Sequence, residues 1–134
     1  MKILMDSHII LWSLNNDRKL SPAARDLILD ARNTLYFSVI SVWEFSIKHA
    51  VHPDNVLVSG REIYALCESA GYEPLDLCGK HVFTLETLHR RKGAPSHHDP
   101  FDRLLIAQAK AEKMLFLTHD SLLSYYDEPC IRII

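Results

Sequence analysis

Short apolar runs alternate with longer helical patterns along this chain, and that alternation constrains the fold more than any other feature. Lys2-Ile3-Leu4-Met5 reads as a strand ending at Asp6, and residues 8–14 follow as an apolar helix. Ser21-Pro22, an N-cap and a first-turn proline, opens a second helix over 23–32 with Leu27 and Ile28 inward. Leu35 to Val39 is rich in strand formers. Ser41 and Glu44 form a capping-box pattern, opening a third helix that runs to about Ala50 and is broken by Pro53-Asp54-Asn55. Ser59 and Glu62 repeat that pattern for a fourth helix, closed by Gly71. Glu73 to Leu77 is a short strand. Lys80 to Arg91 is a fifth helix with Val82, Phe83, Leu85 and Leu88 on its apolar side, and Lys92 to Ser96 is the most loop-like segment. Asp99 as N-cap and Pro100 at the first helical position open a sixth helix through Leu104, Leu105, Gln108 and Ala109. Met114 to Thr118 is apolar nearly throughout, as expected of a strand covered on both faces. A helical turn near Ser121 to Tyr125 and a last strand, Ile131 to Ile134, complete the chain. Strands alternating with helices predict an α/β fold with a parallel sheet between helices.

The 134 residues are expected to form one domain with a substantial core. No apolar run reaches the length of a membrane span, and Asp6 interrupts the N-terminal apolar run too early for a signal peptide. Cys67, Cys78 and Cys130 lie far apart, which suits buried thiols in a reducing cytoplasm and neither a disulfide framework nor a zinc site. A formal charge of -2 argues against holding nucleic acid by bulk charge, but not against a nuclease whose positive field comes from metal ions.

The acids carry the chemistry. Asp6 ends the first strand, Glu44 lies early in the helix after the second, Asp99 and Asp102 open the helix before the fourth, and Asp120 follows that strand. In an open α/β sheet ligands bind beyond the carboxyl ends of the strands, where strand order reverses. One parallel topology brings all five acids there. Such a group stays ionised poorly by itself, and Mg²⁺ or Mn²⁺ resolves the conflict, which is the setting of metal-assisted phosphodiester hydrolysis. Each acid also has an ordinary structural use. Asp99 can cap its helix, Glu44 can share a capping box with Ser41 or pair with Lys48, and Asp120 can cap the turn after it. The collective pattern is far more specific than any member.

Around the acids, Arg90-Arg91-Lys92 is either an RNA-backbone grip or a solvated helix end, and Arg103 either touches phosphate or orients a carboxylate. His97, His98 and His119 read as peripheral to the carboxylates or as standing one step behind them, and His8 as packed under the first loop. Trp12, Trp43 and Phe101 read as core, and Tyr125-Tyr126 as a partly buried surface pair.

Four segments resemble a known family. Asp6-Ser7-His8-Ile9-Ile10-Leu11-Trp12 resembles the opening Asp-Thr-His-x-x-Leu-Trp of PIN-domain ribonucleases, with Ser7 keeping the hydroxyl of the usual Thr. Ser38 to Lys48 resembles their Ser-x-x-Ser-x-Trp-Glu-Ile-x-Ile-Lys segment, His98 to Ala109 their third motif, and Thr118-His119-Asp120 their fourth. Within that group the chain is similar to the toxin component of VapBC toxin–antitoxin pairs. It departs after Lys48, where His49 to Asp54 replaces the usual Gly-Lys-Leu-like stretch. The resemblance implies a three-layer α/β/α sandwich with a mainly parallel sheet and a metal pocket of Asp6, Glu44, Asp102 and Asp120, with Asp99 as a fifth member. It also implies an Mg²⁺-dependent endoribonuclease acting on RNA, a homodimer, and a VapB-like antitoxin that inserts a segment into the active-site groove.

Overall fold

A computed structural model describes residues 1–134. Five strands, β1 (Lys2–Met5), β2 (Thr34–Ser38), β3 (Glu73–Leu75), β4 (Leu115–Thr118) and β5 (Ile131–Ile133), form one sheet in the order β3-β2-β1-β4-β5. Every pairing is parallel, with Ile3 opposite Leu35 on one side and Leu115 on the other. The chain builds outward from β1 in one direction through β2 and β3, then in the other through β4 and β5. Strand order therefore reverses between β1 and β4.

The period-two pattern of the strands divides the core. Ile3, Met5, Leu35, Phe37 and Leu117 face one layer, where they meet α1 (Ser7–Leu14), α2 (Pro22–Leu29) and α4 (Gly60–Ser69) through Ile9, Ile10, Ala24, Ile63 and Cys67. Leu4 and Phe116 face the other layer, where they meet α6 (Pro100–Glu112) through Leu105, Ile106 and Ala109. Helices on both faces of a parallel sheet make the expected three-layer α/β/α sandwich. Helix α3 (Val39–Val51) contributes Phe45 to the first layer and Ile40 to the second. None of the helices is long and apolar enough to cross a membrane.

Several elements depart from the sequence reading. Helix α3 starts at Val39, directly after β2, because Ser38 is both the last strand residue and the N-cap, its side chain accepting from Ile40 N. Ser41 and Glu44 therefore do not form a capping box: Ser41 lies buried inside the helix. Helix α2 stops at Leu29, where Asp30 turns extended. Helix α5 is only Gly79–Leu85. Beyond it the chain pairs with the segment after β4, through Arg91 N to Tyr125 O and Asp127 N to His89 O, both 2.8 Å. The expected apolar side therefore splits: Val82 and Phe83 are open, Phe83 69% exposed, whereas Leu85 is half-buried and Leu88, beyond α5, packs against the core layer of α6. It is His81 that faces inward, Nδ1 accepting from Cys78 N at 3.1 Å and Nε2 2.9 Å from Glu112 on α6. Cys78 itself is exposed, not buried. Trp43 is not core either: it is 54% exposed on the outer side of α3, its ring edge-on to Phe101 at 5.0 Å. Trp12 and Phe101 are half-buried. His8 is exposed and stacks on Trp12 instead of packing beneath a loop.

The contact between α3 and α4 depends on one missing side chain. A Cβ at Gly60 would stand 2.8 Å from the carbonyl oxygen of Val42 and closer still to Ser46 Oγ. Ser46 can rotate away, but the Val42 carbonyl belongs to the helix backbone. Gly60→Ala is expected to destabilise the protein by about 1–3 kcal/mol, as overpacking does. Thermal unfolding would register this as a midpoint several degrees lower. An unchanged midpoint would show that α4 can move without cost.

Candidate active site

The site is built where β1 and β4 end. Asp6 N continues the ladder by donating to Leu117 O at 2.9 Å, and Asp6 then caps α1, its Oδ1 accepting from Ser7 N at 2.7 Å. Its Oδ2 accepts from Thr118 Oγ1 at 2.6 Å, which ties the carboxylate to the end of β4. Ser7 Oγ donates to Glu44 Oε1 at 2.7 Å and lies 3.0 Å from Ser41 Oγ. Glu44 Oε2 meets Lys48 Nζ at 2.7 Å, the pairing expected one helical turn on.

The other acids arrive from the opposite side of β1. Asp99 caps α6, accepting from Phe101 N and Asp102 N at 2.9 and 3.1 Å. Asp102 projects from the first turn of α6, with Oδ2 3.2 Å from His97 Nε2. Asp120 caps the 3₁₀ turn Ser121–Tyr125, accepting from Leu122 N at 2.9 Å, while its own N–H donates to Thr118 Oγ1 at 3.1 Å. All five carboxylates line one cleft of about 940 Å³, whose other wall is apolar and includes Leu11, Leu14, Val56, Leu57 and Leu66.

Burial and crowding together shift the acids from their ordinary values. The Asp102 carboxyl is pushed up to about 8, first by burial and then by Asp6, Asp99, Asp120 and Glu44. Burial also raises Asp6, against the donors Thr118 and Ser7, and Glu44 adds to the rise. Burial works against charge on Lys48, yet Glu44, Asp99 and Asp102 together hold it above its ordinary value. Lys48 is thus the cation standing nearest the acid group. Asp102 and Asp120 bring carboxylate oxygens within 4.8 Å of one another and of a His97 nitrogen, and Asp6, Glu44 and Asp99 line the same cleft, so the donors are mostly carboxylate oxygens and suit Mg²⁺ or Mn²⁺ better than a thiophilic metal.

Sequence reading missed several neighbours of the acids. Ser7 and Thr118 are the hydroxyls that hold Glu44 and Asp6. Of the two readings of His97 the structure takes the second: it is buried one step behind Asp102 and bonded to it, and its Nδ1 lies 2.8 Å from the hydroxyl of Tyr126, a partner the sequence does not reveal and itself only 3% exposed. His119 is exposed, bonded through Nδ1 to Ile134 O at 2.8 Å, and edge-on to Trp12; His98 is exposed. Arg103 reaches the Tyr126 hydroxyl at 3.4 Å, not a carboxylate of the site. Arg90 lies 5.2 Å over the Tyr126 ring and donates to Pro95 O, so it braces the loop and is not a solvated helix end. Arg91 and Lys92 are exposed.

The family model of the PIN domain matches residues 3–129. The chain belongs to the PIN-domain family. Among solved structures, this PIN domain is similar to a chain of VapBC2 from Rickettsia felis bound to a DNA fragment from its promoter, with a TM-score of 0.66 and 17% identity over 100% of this chain and 98% of that one. It is similar to a chain of DNA-bound VapBC from Salmonella typhimurium, with a TM-score of 0.64 and 17% identity over 100% and 97% of the two chains. FitAcB from Neisseria gonorrhoeae gives 0.53 and 21% identity over 89% and 88%. No curated protein matches the sequence. At these identities the likeness establishes the PIN fold, and the acids of this PIN domain occupy the cleft that the fold leaves at its strand-order reversal.

Proposed function

We propose that this PIN domain is an Mg²⁺-dependent endoribonuclease, with Mn²⁺ as a substitute, acting as a VapC-type toxin in the cytoplasm. One observation carries the reading. Five carboxylates from four segments of the chain converge on one cleft, where burial and then the other four acids push the Asp102 carboxyl up to about 8. A divalent cation relieves that crowding. Asp6, Glu44, Asp102 and Asp120 would hold it, with Asp99 as a fifth member beside them. A cation bound there supplies Lewis-acid activation of water and stabilises charge developing on the phosphate. The chain's own residues do the rest. Thr118 and Ser7 fix the Asp6 carboxylate, Ser7 and Lys48 orient Glu44, and Lys48 offers positive charge to a phosphodiester entering the cleft.

A cognate VapB-like antitoxin is supported by the VapBC complexes among the similar folds and by the apolar wall beside the acids, which suits an inserted protein segment. A homodimer is supported by the exposed apolar residues Trp43, Ile47 and Val51, four apart along α3. The direct test is digestion of total cellular RNA with Mg²⁺, Mn²⁺ or EDTA, with the ends mapped. Metal-dependent cuts that leave 5′-phosphate and 3′-hydroxyl ends are expected. Cleavage that survives EDTA and leaves cyclic phosphates would overturn the metal reading.

A further inference from the structure

The position of the proton on His97 follows from its neighbours. The Tyr126 hydroxyl is buried and has one proton and two lone pairs. Two side chains reach it: Arg103 Nη1 at 3.4 Å, which can only donate, and His97 Nδ1 at 2.8 Å. The hydroxyl proton therefore has one acceptor, His97 Nδ1. A proton on Nδ1 instead would leave the buried hydroxyl without an acceptor. The ring's own proton accordingly sits on Nε2, aimed at Asp102 Oδ2 at 3.2 Å.

Resting on the metal-dependent reading above, we propose that Tyr126 and His97 form a positioning relay for Asp102. Tyr126 fixes the tautomer of His97, and His97 Nε2–H holds Oδ2 of Asp102, leaving Oδ1 for the cation. The relay also joins separate parts of the site. His97 lies in the loop that precedes α6, and Tyr126 is the C-cap of the 3₁₀ turn that Asp120 begins. Arg103, on α6 beside Asp102, closes the circuit at the Tyr126 hydroxyl. Partners of this kind, one step behind a metal ligand, change metal affinity about 10–100-fold when removed.

The test reads the metal-free protein and its Mn²⁺ affinity without RNA. Nitrogen NMR of the metal-free protein should show His97 protonated on Nε2. Calorimetric titration should show about tenfold weaker Mn²⁺ binding for Tyr126→Phe and for His97→Ala. His97→Gln, whose amide can still donate to Asp102, should recover much of the affinity lost in His97→Ala. That recovery keeps the proposal testable if Tyr126→Phe folds poorly. A proton on Nδ1, or wild-type Mn²⁺ affinity in folded Tyr126→Phe, would overturn the relay. Asp102→Asn separates the two claims. Wild-type Mn²⁺ binding by that variant overturns the metal reading itself, whereas its loss beside an unaffected Tyr126→Phe overturns only the relay.

Discussion

Asp102→Asn will abolish RNA cleavage and leave the fold intact. The substitution keeps size and shape, so the first turn of α6 and the cleft keep their form. It removes an acid whose carboxyl is driven up to about 8, first by burial and then by the four neighbouring acids. A neutral amide relieves burial of charge instead of adding to it, so the metal-free variant should be at least as stable as the parent. Cleavage should fall by about 10³-fold or more, because removing a single stabilising group from a water-poor site already costs about 10²–10³-fold. Asp6→Asn should be equally inactive but less stable. Both Asp6 oxygens accept hydrogen bonds, from Ser7 N and Thr118 Oγ1, and an amide can satisfy only one of these donors as it stands. End-mapped RNA cleavage together with thermal unfolding checks both variants. Wild-type cutting by folded Asp102→Asn in clean Mg²⁺ would remove Asp102 from the site.

What the sequence could show depended on how local each determinant is. The sheet was legible because β1 and β4 are short apolar runs that end in Asp6 and Thr118, and strands separated by helices leave few parallel arrangements. The convergence of the acids followed from that topology. The start of α3 did not, because Ser41 and Glu44 have capping-box spacing while Ser38, three residues earlier, does the capping without any intervening loop. The length of α5 was misread for a different reason. Leu85 and Leu88 keep helical spacing, but the backbone beyond α5 finds its hydrogen bonds at residues 125–127, a partner remote in sequence. Trp43 reads as core by its chemistry alone, whereas the outer face of α3 is set by what packs beneath that helix. The partner of His97 is hidden for the same reason as the end of α5. The hydroxyl that decides its tautomer stands 29 residues away.

The stability of the metal-free protein should fall as pH rises from about 4 to about 8. Asp102 has an ordinary value of 3.8 and a folded value of about 8. Across that window the unfolded chain has released a proton that the folded protein still holds. The unfolded state binds fewer protons, so the free energy of unfolding decreases with increasing pH. Burial raises Asp6 as well, with the same sign. His97 opposes them: burial lowers its pKa from 6.5, so its contribution is lost as pH falls through that region. Asp30 and Glu112 are lowered, and their contributions are lost only as pH falls toward and below the ordinary carboxylate range. Asp102 spans this window and contributes about 2–3 kcal/mol once solvent screening is discounted, and Asp6 adds to it with the same sign. A cation that binds the ionised carboxylates removes this penalty and stabilises the folded state by mass action. In EDTA the unfolding midpoint should therefore drop between pH 5 and pH 8, and Mg²⁺ should restore much of it at pH 8. Asp102→Asn should reduce both responses, with Asp6 supplying what remains. The parent showing the same pH profile as the variant in EDTA would mean that Asp102 ionises freely in the fold. The crowding that calls for a metal would then be relieved by water alone.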